Sequence, residues 1–402
     1  MFPISHKSCE ISVIFISIFD IFVCKNNIIN LIDVDLMKIL HISGAKSWGG
    51  NEQQLLNTVV ELNKQDTVNY IFGMRDSILE QRCKEIGLHF IDSQLKKISD
   101  FKNVSFLQGL LKKHNFDVVH LHTSDALTLF AYFSFLHKTT AKVFFSKKGI
   151  GASSSFLSRI KYNLSSICKI ICVSSLVKKD FEKMIQPKNR HKLLVLPDNV
   201  NSAIIHQTKP FLLKEKYQIA ADEFLIGSIA NHTKAKDLFT MVDVVHELIV
   251  NRAKTHIRCI QIGGFTKLTP EIRAYAEKKG VSDAIIFTDS IANASVFCDE
   301  MNVFLVTSER EGGPSSALEA MLFKVPVVST QVGLMDEIIQ SGENGYLAPV
   351  KGVQQLADGV EYFMENKEAG HSFGEKNYEM IIQEFNSEKI TEELIKIYKS
   401  LC

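Results

Sequence analysis

The chain has 402 residues, 46% of them hydrophobic and 23% charged, with a formal net charge of +1. This composition excludes a disordered chain, and the length is enough to bury two ordinary cores. Eight cysteines are scattered at 9, 24, 83, 168, 172, 259, 298 and 402. They form neither the CxxC pairs of a zinc site nor the density of a disulfide scaffold, so a reducing cytoplasm is the expected home.

Residues 1–36 stand apart from the pattern that follows. Ile11 to Cys24 is apolar except for Ser12, Ser17 and Asp20; it is short for a bilayer span and has no small-residue cleavage site. Met37 then opens "MKILHIS", a first strand. Residues 1–36 are therefore read as an extension from an upstream start, with a membrane-seeking N-terminal segment as the alternative.

From Met37 onward, short β-rich runs alternate with helical patterns. The runs are Lys38 to Ser43, Tyr70 to Met74, His89 to Ile91, Val118 to His122, Val143 to Ser146, Ile170 to Val173 and Leu193 to Leu196. Alternation of this kind predicts a parallel, doubly wound α/β domain. After the first run, "GAKSWGGNEQQLL" places Gly49 and Gly50 before a helix, with Asn51 as its expected cap and Gln54 at the third position. The loop is not GxGxxG, which argues against a dinucleotide oxidoreductase. In "VVHLHTSD", His120 and His122 alternate at a strand end and face one side. They lack further ligands along the sequence, so they are read as structural or ligand-facing residues rather than a metal site. In "FFSKKGIGASSSF", Lys147 and Lys148 are suited to an acidic ligand or a phosphate, and the serines read as a flexible loop. Cys168 and Cys172, four apart in a strand-like run, are expected on one buried face.

Charge is divided unevenly. Residues 37–200 hold 24 Lys and Arg against 13 Asp and Glu. Arg159, Lys161, Lys178, Lys179 and Lys183 cluster there with Phe156, Leu157 and Phe181, a composition suited to an anionic membrane surface. No nucleic-acid module accompanies the charge, so no nucleic-acid partner is expected.

After "LPDNVN" the chain is irregular to about Glu223, and a second strand series begins with "FLIGSIA" and continues through "IRCIQIG", "AIIFT", "VFLVTS" and "VPVVST". The predicted domains are 37–200 and 201–385, followed by a C-terminal amphipathic helix within 386–402 with Ile390, Leu394 and Ile397 on its apolar stripe. Between the fourth and fifth strands of the second series lies "EGGPSSALEAM", Glu311 to Met321. Gly312 and Gly313 break the strand, Pro314 suits a first helical turn, and the uncapped amides of the new helix favour an oxyanion. Glu311 before the helix and Glu319 inside it sit at different depths. They are placed to accept hydrogen bonds from two sets of hydroxyls on one elongated ligand, such as a sugar joined through phosphates to a ribose.

The stretch from Met301 to Val350 resembles the donor-site signature of family-four retaining glycosyltransferases, two-domain enzymes of the GT-B fold. The resemblance implies two Rossmann-like domains facing across a cleft, with the C-terminal helix returning to the N-terminal domain. It implies that Glu311 contacts the transferred sugar and that Glu319 holds the ribose. The backbone of Gly312, Gly313, Pro314 and Ser315 would meet the sugar and diphosphate, and the Gly49–Gly50 loop would face the phosphates. Relatives carry Arg, four residues and Lys after the first strand of the second domain. Here these are Asn231 and Lys236, so one phosphate contact is altered while Lys236 remains for the leaving group. The His that many relatives carry after the fifth strand is replaced by Lys147 and Lys148. No metal or other cofactor is implied. The expected reaction moves a sugar from a nucleotide-diphosphate donor to a hydroxyl of a cell-surface glycan or lipid-linked precursor. Catalysis would rest on Glu311 and Lys236, with His122, Lys147 and Lys148 on the acceptor side. The alternatives are a GT-B nucleotide-sugar epimerase or hydrolase, and a non-catalytic partner of a transferase.

Overall fold

The computed structural model describes residues 36–151 and 155–400. The apolar extension up to residue 35, and Ala152, Ser153 and Ser154 of the serine loop, lie outside the described residues. All seven strand-like runs of the first half become parallel strands: β1 (Met37–Ile42), β2 (Thr67–Met74), β3 (His89–Ser93), β4 (Val118–Leu121), β5 (Lys142–Lys147), β6 (Ile167–Cys172) and β7 (Leu193–Val195). The second sheet holds β8 (Phe224–Ile229), β9 (Ile257–Ile262), β10 (Ile285–Thr288), β11 (Val303–Val306), β12 (Val327–Thr330) and β13 (Gly345–Ala348). The orders are β3-β2-β1-β4-β5-β6-β7 and β10-β9-β8-β11-β12-β13. Each sheet reverses direction once, between β1 and β4 and between β8 and β11, the place where a doubly wound sheet opens a crevice at its strand ends. The sequence reading had no β13, because Gly345 opens it and only four residues carry it; pairing with β12 makes it a strand.

The strands are apolar on both sides because helices cover both faces. In the first sheet, Leu40, Ile42, Leu121 and Phe145 pack on one face with Phe130 and Phe133. Ile39, Val118, Phe144 and Ile171 pack on the other with Leu62, Leu394 and Tyr398. Leu394 and Tyr398 belong to the C-terminal helix, Ser387–Lys399, which thus lies against the first sheet although it follows the second in sequence. Lys142 fixes its end by donating to the Ser400 carbonyl at 2.8 Å and the Tyr398 carbonyl at 3.3 Å, a favourable place for a cation.

Three local expectations are corrected. The helix after the glycine loop starts at Gly50 with Gly49 as its cap, not at Asn51. Gln54 instead clamps the backbone of Asn199, donating to its carbonyl at 2.6 Å and accepting from its amide at 2.9 Å. Cys168 and Cys172 face opposite sides of β6: Cys172 joins the core with Phe145, and Cys168 packs with Phe144 and Tyr398. The register shifts by one residue between Val143↔Ile167 and Phe144↔Lys169, and an extra residue in a strand reverses the alternation. Phe181 is wholly buried against Tyr162, so it belongs to the core; Phe156 and Leu157 are 78% and 76% exposed.

Candidate active site

The donor loop leaves β11 at the reversal point of the second sheet. Ser308 and Thr330 tie it down, the Thr330 hydroxyl donating to the Ser308 carbonyl at 2.7 Å. Pro314 then sits at the cap position of the helix Ser315–Leu322, one residue earlier than a first-turn proline. Ser316 Oγ donates to the carbonyl of Ile229 at 3.0 Å, which holds the helix start against the end of β8. Glu311 accepts from Ser308 Oγ at 3.0 Å and is ion-paired with Lys236. A cation and a carboxylate from two different loops therefore meet in a small cavity lined by Ser228, Ala230, Thr307 and Pro314. Lys236 is partly exposed, and its ammonium has further donors for an anionic ligand beside Glu311. Glu319 lies further in, accepts from Ser295 Oγ, and has its pKa pushed up to about 7 by loss of water.

Glycine is required where this loop meets the first sheet. A Cβ on Gly312 would collide with the carbonyl of Lys148, and one on Gly313 would lie 3.0 Å from Val173 and 3.2 Å from Asp198. A Cβ on Gly50 would lie 2.9 Å from Ser315 Oγ. The glycine loop after β1 and the donor loop after β11 thus approach each other closely.

On the first-sheet side, parallel register sets His41 of β1 beside His120 of β4, and the next inward-facing position along is His122. One ligand nitrogen from each of the three imidazoles lies within 4.8 Å of the other two. His41 lies 79 positions before His120, so no local spacing marks it as the third partner of the two histidines. His41 and His120 spend both ring nitrogens on protein groups: Asn69 and His122 for His41, Tyr398 and Ser146 for His120. Burial holds all three well toward the neutral form, His41 at about 4. His41 and His122 are hydrogen-bonded to each other, and His120 packs against both rings while Tyr398 of the C-terminal helix, 2.6 Å away, holds it. His122 also lines a second cavity with Lys148, Ser146, Asp198 and Asn199, so a histidine does stand on this side despite the lysines after β5.

Lys148 is ion-paired with the buried carboxylate of Asp198, in the segment that leaves the first sheet. Lys147 binds its own loop through the carbonyls of Gly149 and Gly151, and burial lowers its pKa. The Asn231 side-chain oxygen accepts from the Gly264 amide at 2.8 Å. It shapes the loop after β9, while Lys236 carries the charge. Glu52, which the sequence reading passed over, lies at the third helical position after Gly49. Its carboxyl takes the Gly49 and Glu52 amides and is raised to about 7, mainly by burial. A Glu three residues after a glycine cap was the available signal.

Residues 211–380 match the family described as glycosyl transferases group 1. Residues 211–380 thus form a glycosyl transferases group 1 region, in a transferase with the GT-B fold. The transferase is 22% identical over 311 residues to the N-acetyl-alpha-D-glucosaminyl L-malate synthase of Bacillus anthracis, covering 74% of this chain and 78% of that one. It is 25% identical over 182 residues to a poly(ribitol-phosphate) alpha-N-acetylglucosaminyltransferase of Staphylococcus aureus, 44% of this chain and 36% of that one. In fold, the transferase is similar to Anabaena HepE, solved in complex with UDP and glucose, with a TM-score of 0.78 at 17% identity, covering 91% of this chain and all of that one.

Proposed function

We propose that this transferase moves a sugar from a nucleotide-diphosphate donor to a hydroxyl of a cell-surface glycan or a lipid-linked precursor, with retention at the anomeric carbon. The observation that carries the reading is the Lys236–Glu311 pair at the mouth of the donor-loop helix, with Glu319 recessed behind it. The diphosphate takes Lys236 and the helix-start amides around Gly313 to Ser316, with the Gly49–Gly50 loop facing them. Glu311 turns to the sugar, and Glu319 takes the ribose hydroxyls. The bond from the anomeric carbon to the phosphate oxygen breaks, and the acceptor oxygen bonds to the same face. The acceptor proton leaves with the diphosphate. His122, Lys147 and Lys148 form the acceptor side, and closure of the two halves excludes water. The bacterial relatives named for sugar transfer to malate and to poly(ribitol phosphate) support a hydroxyl acceptor.

Incubation of the purified protein with a panel of nucleotide sugars and candidate acceptors separates the readings. Product with retained configuration supports transfer. Isomerised or hydrolysed donor, or binding without turnover, sinks it in favour of an epimerase, a hydrolase or a non-catalytic partner.

The same reading places the protein in the cytoplasm at the inner face of the membrane. Among the described residues no helix is long and apolar enough to cross a bilayer, whereas exposed Phe156 and Leu157 beside Arg159 suit an anionic surface. Binding to vesicles containing anionic lipid should weaken as salt rises; salt-independent binding contradicts an electrostatic contact.

A further inference from the structure

The direction of every hydrogen bond between the backbone of Leu62 and His122 is determined, because the chain starts on a group that can only accept. The Leu62 carbonyl takes the single hydroxyl proton of Thr67 at 2.6 Å. Thr67 Oγ1 can then only accept, so the group 2.8 Å from it is the Nδ2 of Asn69. The same Nδ2 donates to Asn63 at 2.8 Å. That orientation turns Asn69 Oδ1, an acceptor, toward His41 Nε2 at 3.1 Å, so the His41 proton sits on Nε2. His41 Nδ1 is left as a lone pair, and the nitrogen facing it at 3.0 Å, His122 Nε2, must carry the next proton. The remaining nitrogen of His122, Nδ1, is therefore an acceptor. Contact with the His120 ring, with centroids 4.1 Å and planes 37° apart, keeps the His122 ring in place.

We propose that Asn69 and His41 are positioning residues that fix the proton of His122 on Nε2 and thereby present its Nδ1 lone pair to a hydroxyl of the sugar substrate bound on the first-sheet side of the cleft. This rests on the reading of His122 as an acceptor-side residue. The chain works only while His41 is neutral. A cationic His41 donates from both nitrogens, forces His122 Nε2 to accept, and turns Nδ1 into a donor. Among the groups around it, His120 and Lys148 are the other basic ones, and both oppose a charge on the trio. Lys148 is itself paired with Asp198, and Tyr398 approaches only His120. On the flanking helix, Glu61 is taken by Lys64 and Ser387. Asn69 is thus the polar side chain that decides the state of His41, and it carries no charge.

Asn69→Asp tests this with little change of shape, since a carboxylate there raises the His41 pKa and should make His41 cationic at neutral pH. Imidazole nitrogen NMR of the free wild-type protein is expected to show Nε2–H on both His41 and His122. In Asn69→Asp, His41 should be doubly protonated and the His122 proton should move to Nδ1. Turnover should fall about tenfold at neutral pH with the donor KM unchanged, and recover as pH rises through the new His41 pKa. Thr67→Val, which releases Asn69 to turn over, should give mixed tautomers and a smaller loss without the pH slope; it serves also if the aspartate variant does not fold. A wild-type His122 with its proton on Nδ1, or an Asn69→Asp enzyme with a flat pH profile and normal turnover, overturns the proposal. His122→Gln with unchanged kcat and acceptor KM instead overturns the acceptor-side reading. The tautomer measurement on the free protein tells these failures apart.

Discussion

The two sides of the cleft are built in opposite ways. On the second-sheet side, Glu311, the two glycines, the helix start and Glu319 lie within eleven consecutive residues, and Lys236, Ser295 and Ser308 reach the two carboxylates from outside them. On the first-sheet side, His41, Asn69, His122, Ser146, Lys148 and Asp198 come from five separate segments and meet only because parallel strands align them. The donor loop offers charge and backbone amides, suited to a diphosphate, while the histidine network is neutral and polar, suited to hydroxyls. On the proposed reading, anion recognition is concentrated in one βα turn and hydroxyl recognition is distributed over several interior strands and the loops that follow them.

Glu311→Ala gives the largest effect expected from this contrast. Transfer should drop by about 10²–10³-fold with the fold intact, as for removal of a group that acts on the transition state; wild-type rates would dissolve the assignment of chemistry to the donor loop. The pH dependence of donor binding comes next. Only ionised Glu319 accepts fully from two ribose hydroxyls, and its carboxyl is held up to about 7 by burial. Donor affinity should therefore weaken up to about tenfold for each unit that pH falls below about 7, and Glu319→Gln should be flat. The same shift has the opposite sign for stability. The folded protein holds a proton that the unfolded chain releases near 4.5, so wild type should lose stability relative to Glu319→Gln as pH rises from 4.5 to about 7, and no further above. A calorimetric pH series checks this.

Gly312→Ala probes the contact between the two sides rather than either alone. The added methyl must push the Lys148 carbonyl away, which should cost about 1–3 kcal/mol in thermal or denaturant unfolding and reduce turnover. Unchanged stability would mean that the two loops do not hold this approach. Tyr398→Phe should be the mildest. It removes one hydrogen bond to His120, worth about 1 kcal/mol, and should leave donor KM unaltered; a change in donor KM would couple the C-terminal helix to the opposite side.

The difference in construction also explains what was legible in the sequence. The strand series, the two-sheet arrangement and the donor loop followed from alternation and from a turn whose chemistry is local. The pairing of Lys147 and Lys148 with their own loop and with Asp198 was not legible, since partner choice for a lysine depends on what lies within a few ångströms of its long side chain. The bulge that separates Cys168 from Cys172 was also hidden, because one extra residue leaves no mark on composition. Phe181 looked like a surface aromatic among lysines, yet its helix turns it inward against Tyr162.

By itself the sequence determined the fold class, the succession of strands along the chain and a glycine turn flanked by two carboxylates. Those features rest on short-range periodicity and on backbone geometry within a few residues. Only the tertiary structure decided that Lys236 meets Glu311, that Gly312 lies against Lys148, and that a backbone carbonyl at Leu62 sets the proton on His122. Each of these is a contact between side chains or loops distant along the chain. Strand register and the reversal of strand order bring them together, and no local pattern encodes either one.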